Sequence, residues 1–314
     1  SSAVGLTGVV VGLQRVYTAG RASSEYNSIT INGLVTNELF VVNTGNTAEV
    51  QLQTGGTAVD PTHTMLATYW TSNNKIVYDA DLVLANATNL ADKNYASGLI
   101  AYASIFKALS IGNMAMYWEL VPAGTGLNVT FISRVDGFKK AVQVLDNAIA
   151  AVGTNPISAS FISSVPTGID ITNTLQALKA RYSLFANDLP AALTAANAVD
   201  LTKKSTFNFD ALTLNPVFEI ATSTNNVVQV KDSTLGLLVP LQPALNDGRV
   251  PFYTSINPTI APRFRINGFG AGAATQIPVY LPGEMTLIKA EVYARQNDSA
   301  TSKTFLNAVL TKTT

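Results

Sequence analysis

A helical hairpin in the middle of the chain limits the fold more than any other stretch. Residues 171–199 read ITNTLQALKARYSLFANDLPAALTAANAV. Leu175, Leu178, Tyr182 and Phe185 recur at steps of three and four, which places them on one helical face. Asn187 and Asp188 interrupt the run. Pro190 suits the first turn of a second helix, where its missing N–H costs nothing. That second helix carries Ala191, Ala192, Ala195, Ala196 and Ala198, small side chains that let it approach a helix bearing bulky ones. A hairpin with one apolar side needs neighbours of the same kind.

The rest of the chain supplies them. Residues 3–20 read as a helix with Val9, Leu13 and Val16 inward. Pro61 opens a helical stretch to residue 87, with Ile76, Ala80, Val83, Leu84 and Ala87 as its stripe. Residues 92–120 carry Leu99, Tyr102, Phe106, Leu109 and Met116 and stop at Pro122. Ser133 or Asp136 caps a helix whose Phe138, Ala141, Leu145, Ala148 and Val152 keep helical spacing. Pro282 starts another, and Ser299 caps the last, with Phe305, Leu306 and Val309 inward. The scaffold is therefore expected at 3–20, 61–152, 171–199 and 282–312.

Two excursions break the pattern. Residues 21–60 read as a long loop with extended pieces at 28–31 and 39–42. In residues 200–280, six prolines from Pro216 to Pro262 rule out a long helix. Extended segments are expected at 217–220 and 227–230, and strands at 263–266 and 277–280 flanking a turn at 268–272. The predicted fold is mainly α: one domain over 1–314, a tetratricopeptide-like superhelix of helical hairpins with a loop-rich face containing a few short strands.

Composition narrows the function classes. The chain has no cysteine and one histidine, His63, which excludes disulfides, thiol catalysis and Cys/His zinc sites. Net charge is zero, against a nucleic-acid footprint. No stretch reads as long enough to span a bilayer. The start, SSAVGLTGVVVGLQ, has no charged n-region or cleavage site and is expected to be a mature or trimmed N-terminus.

The last forty residues say more than their period. In IPVYLPGEMTLIKAEVYARQNDSATSKTFLNAV, the positions of Glu284, Leu287, Ala290, Glu291, Asn307 and Val309 resemble the C-terminal block of the SusD/RagB family of nutrient-binding outer-membrane lipoproteins. Leu281 and Pro282 replace that block's Tyr-Ala, and Leu310 replaces its Arg. Four further segments are similar in the same order. Trp70, Ile76 and Asn86 anchor one helix. Residues 106–122 match the next, without its Gly. Residues 177–181 with Asp188 and residues 191–193 match a hairpin, and Asp247-Gly248-Arg249 matches an Asp-Pro-Arg turn.

The resemblance implies a helical scaffold that binds a glycan or other nutrient without catalysis. It implies surface association by an N-terminal lipid anchor that this sequence does not contain. It also implies delivery of an oligosaccharide to a SusC-like TonB-dependent transporter. No cofactor, metal, nucleic acid or transmembrane segment enters that reading.

His63 reads as a solvent-facing residue before a helix, with no nucleophile-elbow sequence around it. Glu284 and Glu291 lie about two helical turns apart (~10.5 Å), beyond the usual hydrolase spacing, and read as structural hydrogen-bonding groups. The glycines at 268, 270 and 272 have no following helix and read as a turn rather than a phosphate cradle.

Sugars present an apolar face and a polar rim, so aromatic rings beside planar polar groups are the expected currency. It occurs in the excursions as Tyr26, Asn27, Asn32, Asn37, Glu38, Phe207, Phe209, Arg249, Phe252, Tyr253, Asn257 and Arg263, and at a helix end as Trp118. The ligand-binding candidates are Trp118, Asn37, Glu38, Arg249, Phe252 and Tyr253. Trp118 is open to stacking or helix-end packing, and Arg249 to ligand contact or pairing with Asp247. Two rival functions remain: a helical-repeat scaffold for a protein or peptide, and a carbohydrate-active hydrolase.

Overall fold

The computed structural model describes residues 2–222, 226–232, 234–244, 246–256 and 264–312. The helices in chain order are α1 (Ala3–Thr18), α2 (Ser24–Val35), α3 (Thr47–Thr54), α4 (Thr64–Ala87), α5 (Lys93–Tyr117), α6 (Arg134–Thr154), α7 (Ala159–Ile162), α8 (Ile171–Phe185), α9 (Leu189–Ala198), α10 (Arg249–Tyr253), α11 (Pro282–Arg295) and α12 (Ser299–Leu310). The strands are short: β1 (Leu39–Val41), β2 (Leu120–Pro122), β3 (Phe131–Ser133), β4 (Ser205–Phe207), β5 (Val228–Val230), β6 (Thr254–Ile256), β7 (Phe264–Ile266) and β8 (Ile277–Tyr280). They pair two by two, β1 with β5, β2 with β3, β4 with β8 and β6 with β7. The protein is mainly helical, as the sequence predicts.

The chain divides into two compact units. The first comprises Ser1–Gln14, Asn73–Phe207 and Pro278–Thr314, and the second Arg15–Ser72 and Asn208–Ile277.

In the first unit, α5 packs on α6, α6 on α8, α8 on α9, α9 on α11 and α11 on α12. The small-residue helix behaves as its composition demands. Ala192, Ala195 and Ala196 of α9 are buried against Ala177, Ala180 and Leu184 of α8 and Met285, Ile288 and Val292 of α11. Side-chain caps define where these helices begin. Asp92, Ser133, Asp170, Asp188 and Asp298 each accept the backbone N–H three residues on. Such a cap contributes about 1 kcal/mol.

Helix α5 is the centre of this unit. Two of its glycines make room for rings. A Cβ on Gly98 would lie 2.3 Å from the Phe161 ring, and one on Gly112 would lie 2.3 Å from the Tyr182 ring. The helical cost of a glycine, about 1 kcal/mol, is offset by burying an aromatic ring beside it. α5 corrects one expectation: by length and hydropathy it could cross a membrane. Its apolar window is 83% buried within the protein, so its hydrophobicity is that of a core helix. Between α8 and the start of α11, Arg181 donates to both carboxylate oxygens of Glu284, at 2.5 and 2.7 Å, and to the Val279 carbonyl at 2.8 Å. Glu284 is therefore a structural partner, as its position suggests.

The second unit departs most from the sequence reading. Residues 21–60 are not a long loop, because they hold α2 and α3. The piece read as extended at 28–31 lies inside α2. Ser23 caps this helix by accepting from Tyr26 N–H, and Tyr26, Ile31 and Leu34 are buried. Burial and the cap override the strand preference of its β-branched run. Residues 39–41 are extended, as β1, with Leu39 opposite Val230.

Of residues 217–220, expected as extended, 218–220 instead open a π-helical turn that runs to residue 222, while the segment expected at 227–230 forms β5 over 228–230. Strands β7 and β8 exist but do not flank the glycine turn as partners. β7 pairs with β6, with Thr254 opposite Ile266, and β8 pairs with β4.

Smaller corrections concern phase and ends. α4 begins at Thr64 rather than Pro61. The buried stripe of α1 is Leu6, Val10, Leu13 and Tyr17, so Val9 and Val16 sit off its centre. Met116 is 49% exposed and Leu306 is 40% exposed, so neither sits inward as its helical spacing suggests. Asp298, not Ser299, caps α12.

His63 is buried rather than solvent-facing. Its Nε2 lies 2.9 Å from the Ala48 carbonyl and must donate there, while Nδ1 accepts from Leu66 N–H at 3.4 Å. Nearby, the fully buried Glu49 of α3 pairs with Arg21, whose guanidinium also reaches Asn46 Oδ1 at 3.0 Å. Burial, assisted by the Glu49 charge, pushes the Tyr26 hydroxyl well above its ordinary pKa.

Candidate functional site

The site is built from a short run of chain in the second unit. Asp247 accepts Arg249 N–H at 2.9 Å and turns the backbone into α10. The same carboxylate holds the Arg249 guanidinium, with Nε at 3.0 Å and Nη2 at 2.6 Å. These bonds from Arg249 bring the Asp247 carboxyl down to about 2. Of the two roles open to Arg249, pairing within its own turn is thus realised. Its side chain nonetheless stays 66% exposed, with donors facing outward.

Phe252 and Tyr253 end α10, and β6 leads away from them into β7. The chain then returns, with Asn267 N–H donating to the Tyr253 carbonyl at 2.9 Å and Asn267 Nδ2 to the Pro251 carbonyl at 3.3 Å. Gly268 follows at φ 56°, the left-handed region that glycine enters without strain. A Cβ there would lie 3.0 Å from the Phe252 ring, so the turn closes tightly on it.

This turn delivers Phe269. Phe252 meets Tyr253 with ring centroids 4.9 Å apart at 82°, and meets Phe269 at 5.3 Å and 78°. Tyr253 and Phe269 lie 6.3 Å apart at 65°. Three mutually edge-to-face rings hold one another in place, each pair contributing about 0.5–1.5 kcal/mol beyond burial. Phe252 and Tyr253 remain 44% and 40% exposed, which leaves apolar surface for a ligand. Arg249 adds donors at the edge. The group can press on an apolar face and hydrogen-bond a polar rim.

Asn215 supports this module from below. It is fully buried, and its Nδ2 donates to the Phe269 carbonyl at 2.7 Å and the Thr275 carbonyl at 2.8 Å. Its Oδ1 accepts from Val217 N–H at 3.0 Å and Phe218 N–H at 3.1 Å. One amide thereby fixes both the aromatic turn and the start of the π-helical turn.

The other predicted residues lie elsewhere. Asn37 has φ 64°, and its Oδ1 accepts from Lys231 Nζ at 2.9 Å. Glu38 beside it accepts Lys231 N–H at its carbonyl, and its backbone is approached so closely by Gly236 that a Cβ there would sit 2.6 Å from Glu38 Cα. Glu38 is exposed, yet the protein around its carboxyl raises the pKa above the ordinary value by desolvation. Trp118 belongs to the first unit, where it is the half-buried C-cap of α5, 6.3 Å from the Tyr117 ring. Tyr26, Asn27, Phe207 and Phe209 are core residues, not surface ones. Asn32 is exposed on α2. Asn257 and Arg263 lie outside the described residues.

Sequence reasoning missed Phe269 and Asn215. Phe269 stands between two glycines in NGFG, a signal that a ring is being presented on a tight turn. Asn215 before Pro216 carried only a turn signal. It also missed a cleft of about 600 Å³ in the same unit, lined in part by Arg15, Leu212 and Glu219. Among the described residues no three His, Asp or Glu side chains gather to hold a metal.

With this geometry in view, solved structures identify the architecture. A SusD superfamily protein from Bacteroides thetaiotaomicron superposes over 100% of this chain and 81% of its own, with a TM-score of 0.77 at 12% identity. The fold is SusD-like. A SusD-like carbohydrate-binding protein from Bacteroides vulgatus matches 99% of this chain and 75% of its own, with a TM-score of 0.72 at 13% identity. A chitin-binding SusD homolog from Flavobacterium johnsoniae matches 97% and 69%, with a TM-score of 0.73 at 13% identity. No protein-family model and no curated protein matches the sequence. The SusD-like fold is thus carried by a sequence in which few positions coincide with those of its structural neighbours.

Proposed function

We propose that this protein binds a glycan, without catalysis, on the aromatic group formed by Phe252, Tyr253 and Phe269, with Arg249 contacting hydroxyls. The observation that carries the reading is the pair of exposed rings locked edge to face. A pyranose offers C–H groups on one face and hydroxyls around its edge, and this surface complements both. The carbohydrate- and chitin-binding descriptions of two structural neighbours agree with it. Asn37, Glu38 and Trp118 are secondary candidates, since Asn37 is already engaged by Lys231.

The physiological setting that fits is the bacterial outer-membrane surface. There a lipid-anchored protein would hand its oligosaccharide to a SusC-like TonB-dependent transporter. Exposed Leu238, Val239 and Leu241, at 76%, 81% and 67%, are the kind of apolar surface a protein partner covers. Titration with a panel of oligosaccharides tests the glycan reading. Saturable binding that Phe252→Ala abolishes supports it, and silence across the panel at millimolar ligand rejects it. Co-purification of a TonB-dependent transporter from outer membranes tests the setting, and its loss on replacing Leu238 and Val239 by Ser would place the contact.

A further inference from the structure

Asparagine followed by glycine is a pair prone to spontaneous deamidation. Glycine has no side chain to keep its nitrogen from the asparagine Cγ, and the five-membered ring that then closes expels the amide as ammonia. The chain holds two such steps, Asn32-Gly33 and Asn267-Gly268. The fold treats them in opposite ways.

Asn32 is exposed, yet its step lies inside α2. There the Gly33 N–H is committed to the helical hydrogen bond with the carbonyl four residues back. Gly33 is also buried, and a Cβ on it would lie 2.5 Å from the Leu39 side chain. Helical ψ, about −42°, turns the glycine nitrogen away from the asparagine side chain. The nucleophile is occupied, covered and misdirected.

Asn267 stands at the turn that delivers Phe269, where each of these guards is missing. It has φ −127° and ψ −153°. That ψ swings the Gly268 nitrogen to the side of the Asn267 Cβ, close to the eclipsed arrangement that ring closure needs. The Gly268 N–H donates to no acceptor among the described residues. Asn267 and Gly268 are both half-buried, so water reaches them. The Asn267 side chain is held at the turn by its Nδ2, which donates to the Pro251 carbonyl at 3.3 Å. Placing a nucleophile beside its target is what speeds an intramolecular attack.

We propose that Asn267-Gly268 is a self-modifying site, where the Gly268 nitrogen attacks Asn267 Cγ and converts the residue with time to aspartate or isoaspartate. In the first step the N–Cγ bond forms and the Cγ–Nδ2 bond breaks. Ammonia leaves with the proton that the Gly268 N–H gives up. Water, the co-reactant, then opens the ring, and nothing is oxidised or reduced. Opening at Cγ leaves aspartate. Opening at the backbone carbonyl leaves isoaspartate, which lengthens the main chain by a methylene. Aspartate replaces the donor to Pro251 by an acceptor. Isoaspartate puts two bonds out of register: Asn267 N–H to the Tyr253 carbonyl at 2.9 Å, and Gly270 N–H to the Asn267 carbonyl at 3.2 Å. Either change loosens Phe269 against Phe252. A fall in glycan affinity with age follows from this on the reading that the aromatic group is the glycan surface.

Peptide mapping of the full chain aged in warm neutral buffer tests the proposal. Trypsin releases residues 266–289 as a peptide whose only asparagine is Asn267. That peptide is expected to gain the mass of amide-to-acid conversion and to accept label from an isoaspartyl methyltransferase, with Asn267 converting about tenfold or more faster than Asn32. In urea the two steps should convert at comparable rates, since the difference lies in the fold. Asn267→Gln, which would have to close a larger ring, should keep its amide and the native near-ultraviolet circular dichroism of the ring cluster. Asn267→Asp should reproduce the spectral change of the aged chain. Conversion of Asn267 no faster than Asn32 in the folded chain overturns the site, and so does the same preference in urea. A folded Asn267→Asp with the native spectrum overturns the effect on the rings. These readings need no ligand, so they stand or fall apart from the oligosaccharide titration.

Discussion

The side-chain amide of Asn215 donates to the carbonyl of Phe269 at 2.7 Å, across fifty-four positions of sequence. A residue without surface exposure thus sets the height of a ring that lines the candidate glycan surface. Replacing it with Ala would strand two carbonyls and two N–H groups in the interior. Asn215→Ala is expected to lower stability by about 3 kcal/mol or more. Urea unfolding followed by circular dichroism measures this, and a loss below about 1 kcal/mol would show that water replaces the amide.

Phe252 and Tyr253 separate binding from stability. Both are substantially exposed. Phe252→Ala should cost about 1 kcal/mol of stability or less while weakening oligosaccharide binding by about tenfold, the worth of one lost stacking ring. Tyr253→Phe keeps the ring and should bind nearly as the native chain does. Unchanged affinity in a folded Phe252→Ala would move the glycan away from this surface.

The Asp247–Arg249 pair makes a pH prediction. The folded Asp247 carboxyl sits at about 2, below its ordinary value, because Arg249 bonds its charged form. The turn's stabilisation is therefore complete above the unfolded pKa of about 3.9. It fades as pH falls toward 2. An NMR titration of the Asp247 carboxyl carbon should show a midpoint near 2, and Arg249→Gln should raise it toward the ordinary value. A midpoint unmoved by that change would mean the backbone bond alone holds the charge.

Gly112 tests the packing of the first unit. A methyl group there would meet the Tyr182 ring at 2.3 Å, and Tyr182 is buried on all sides. Gly112→Ala should destabilise by about 2 kcal/mol despite improving helix propensity. Gly8→Ala, which meets nothing within 4 Å, should stabilise or be neutral. Thermal melts of the two variants compare directly, and equal Tm values would refute the close approach.

What the sequence made legible follows physical lines. α8 and α9 were readable because periodicity, the break at Asn187 and Pro190 all agree. The burial of Leu175, Leu178 and Tyr182 follows from that agreement, although Phe185 at the helix end is 41% exposed. α2 was not readable, because Ile29, Thr30 and Ile31 carry strand preference locally. Only the tertiary burial of Ile31 and Leu34 decides for helix. Tyr26 and Phe207 look like surface aromatics in a polar context but are core residues, a distinction no composition contains.

The site was partly legible for the same reason. Arg249, Phe252 and Tyr253 are neighbours in sequence, so reading along the chain finds them together. Phe269 joins them through a hairpin, and Asn215 reaches it from another segment, which only the folded chain reveals. Asn37 and Glu38, ligand candidates by residue type, meet Lys231 and the backbone at Gly236, both far along the chain, which only the folded protein reveals.

That distance has a bearing on biosynthesis. Asn37 and Lys231 are 194 positions apart, and β1 finds its partner strand only in the same late segment. A ribosome delivers the first half of this unit long before the second, so β1 must wait as an unpaired edge while the helices between emerge. The newborn chain is then most exposed to misassociation in the interval when it already has most of its helices and none of its candidate glycan surface.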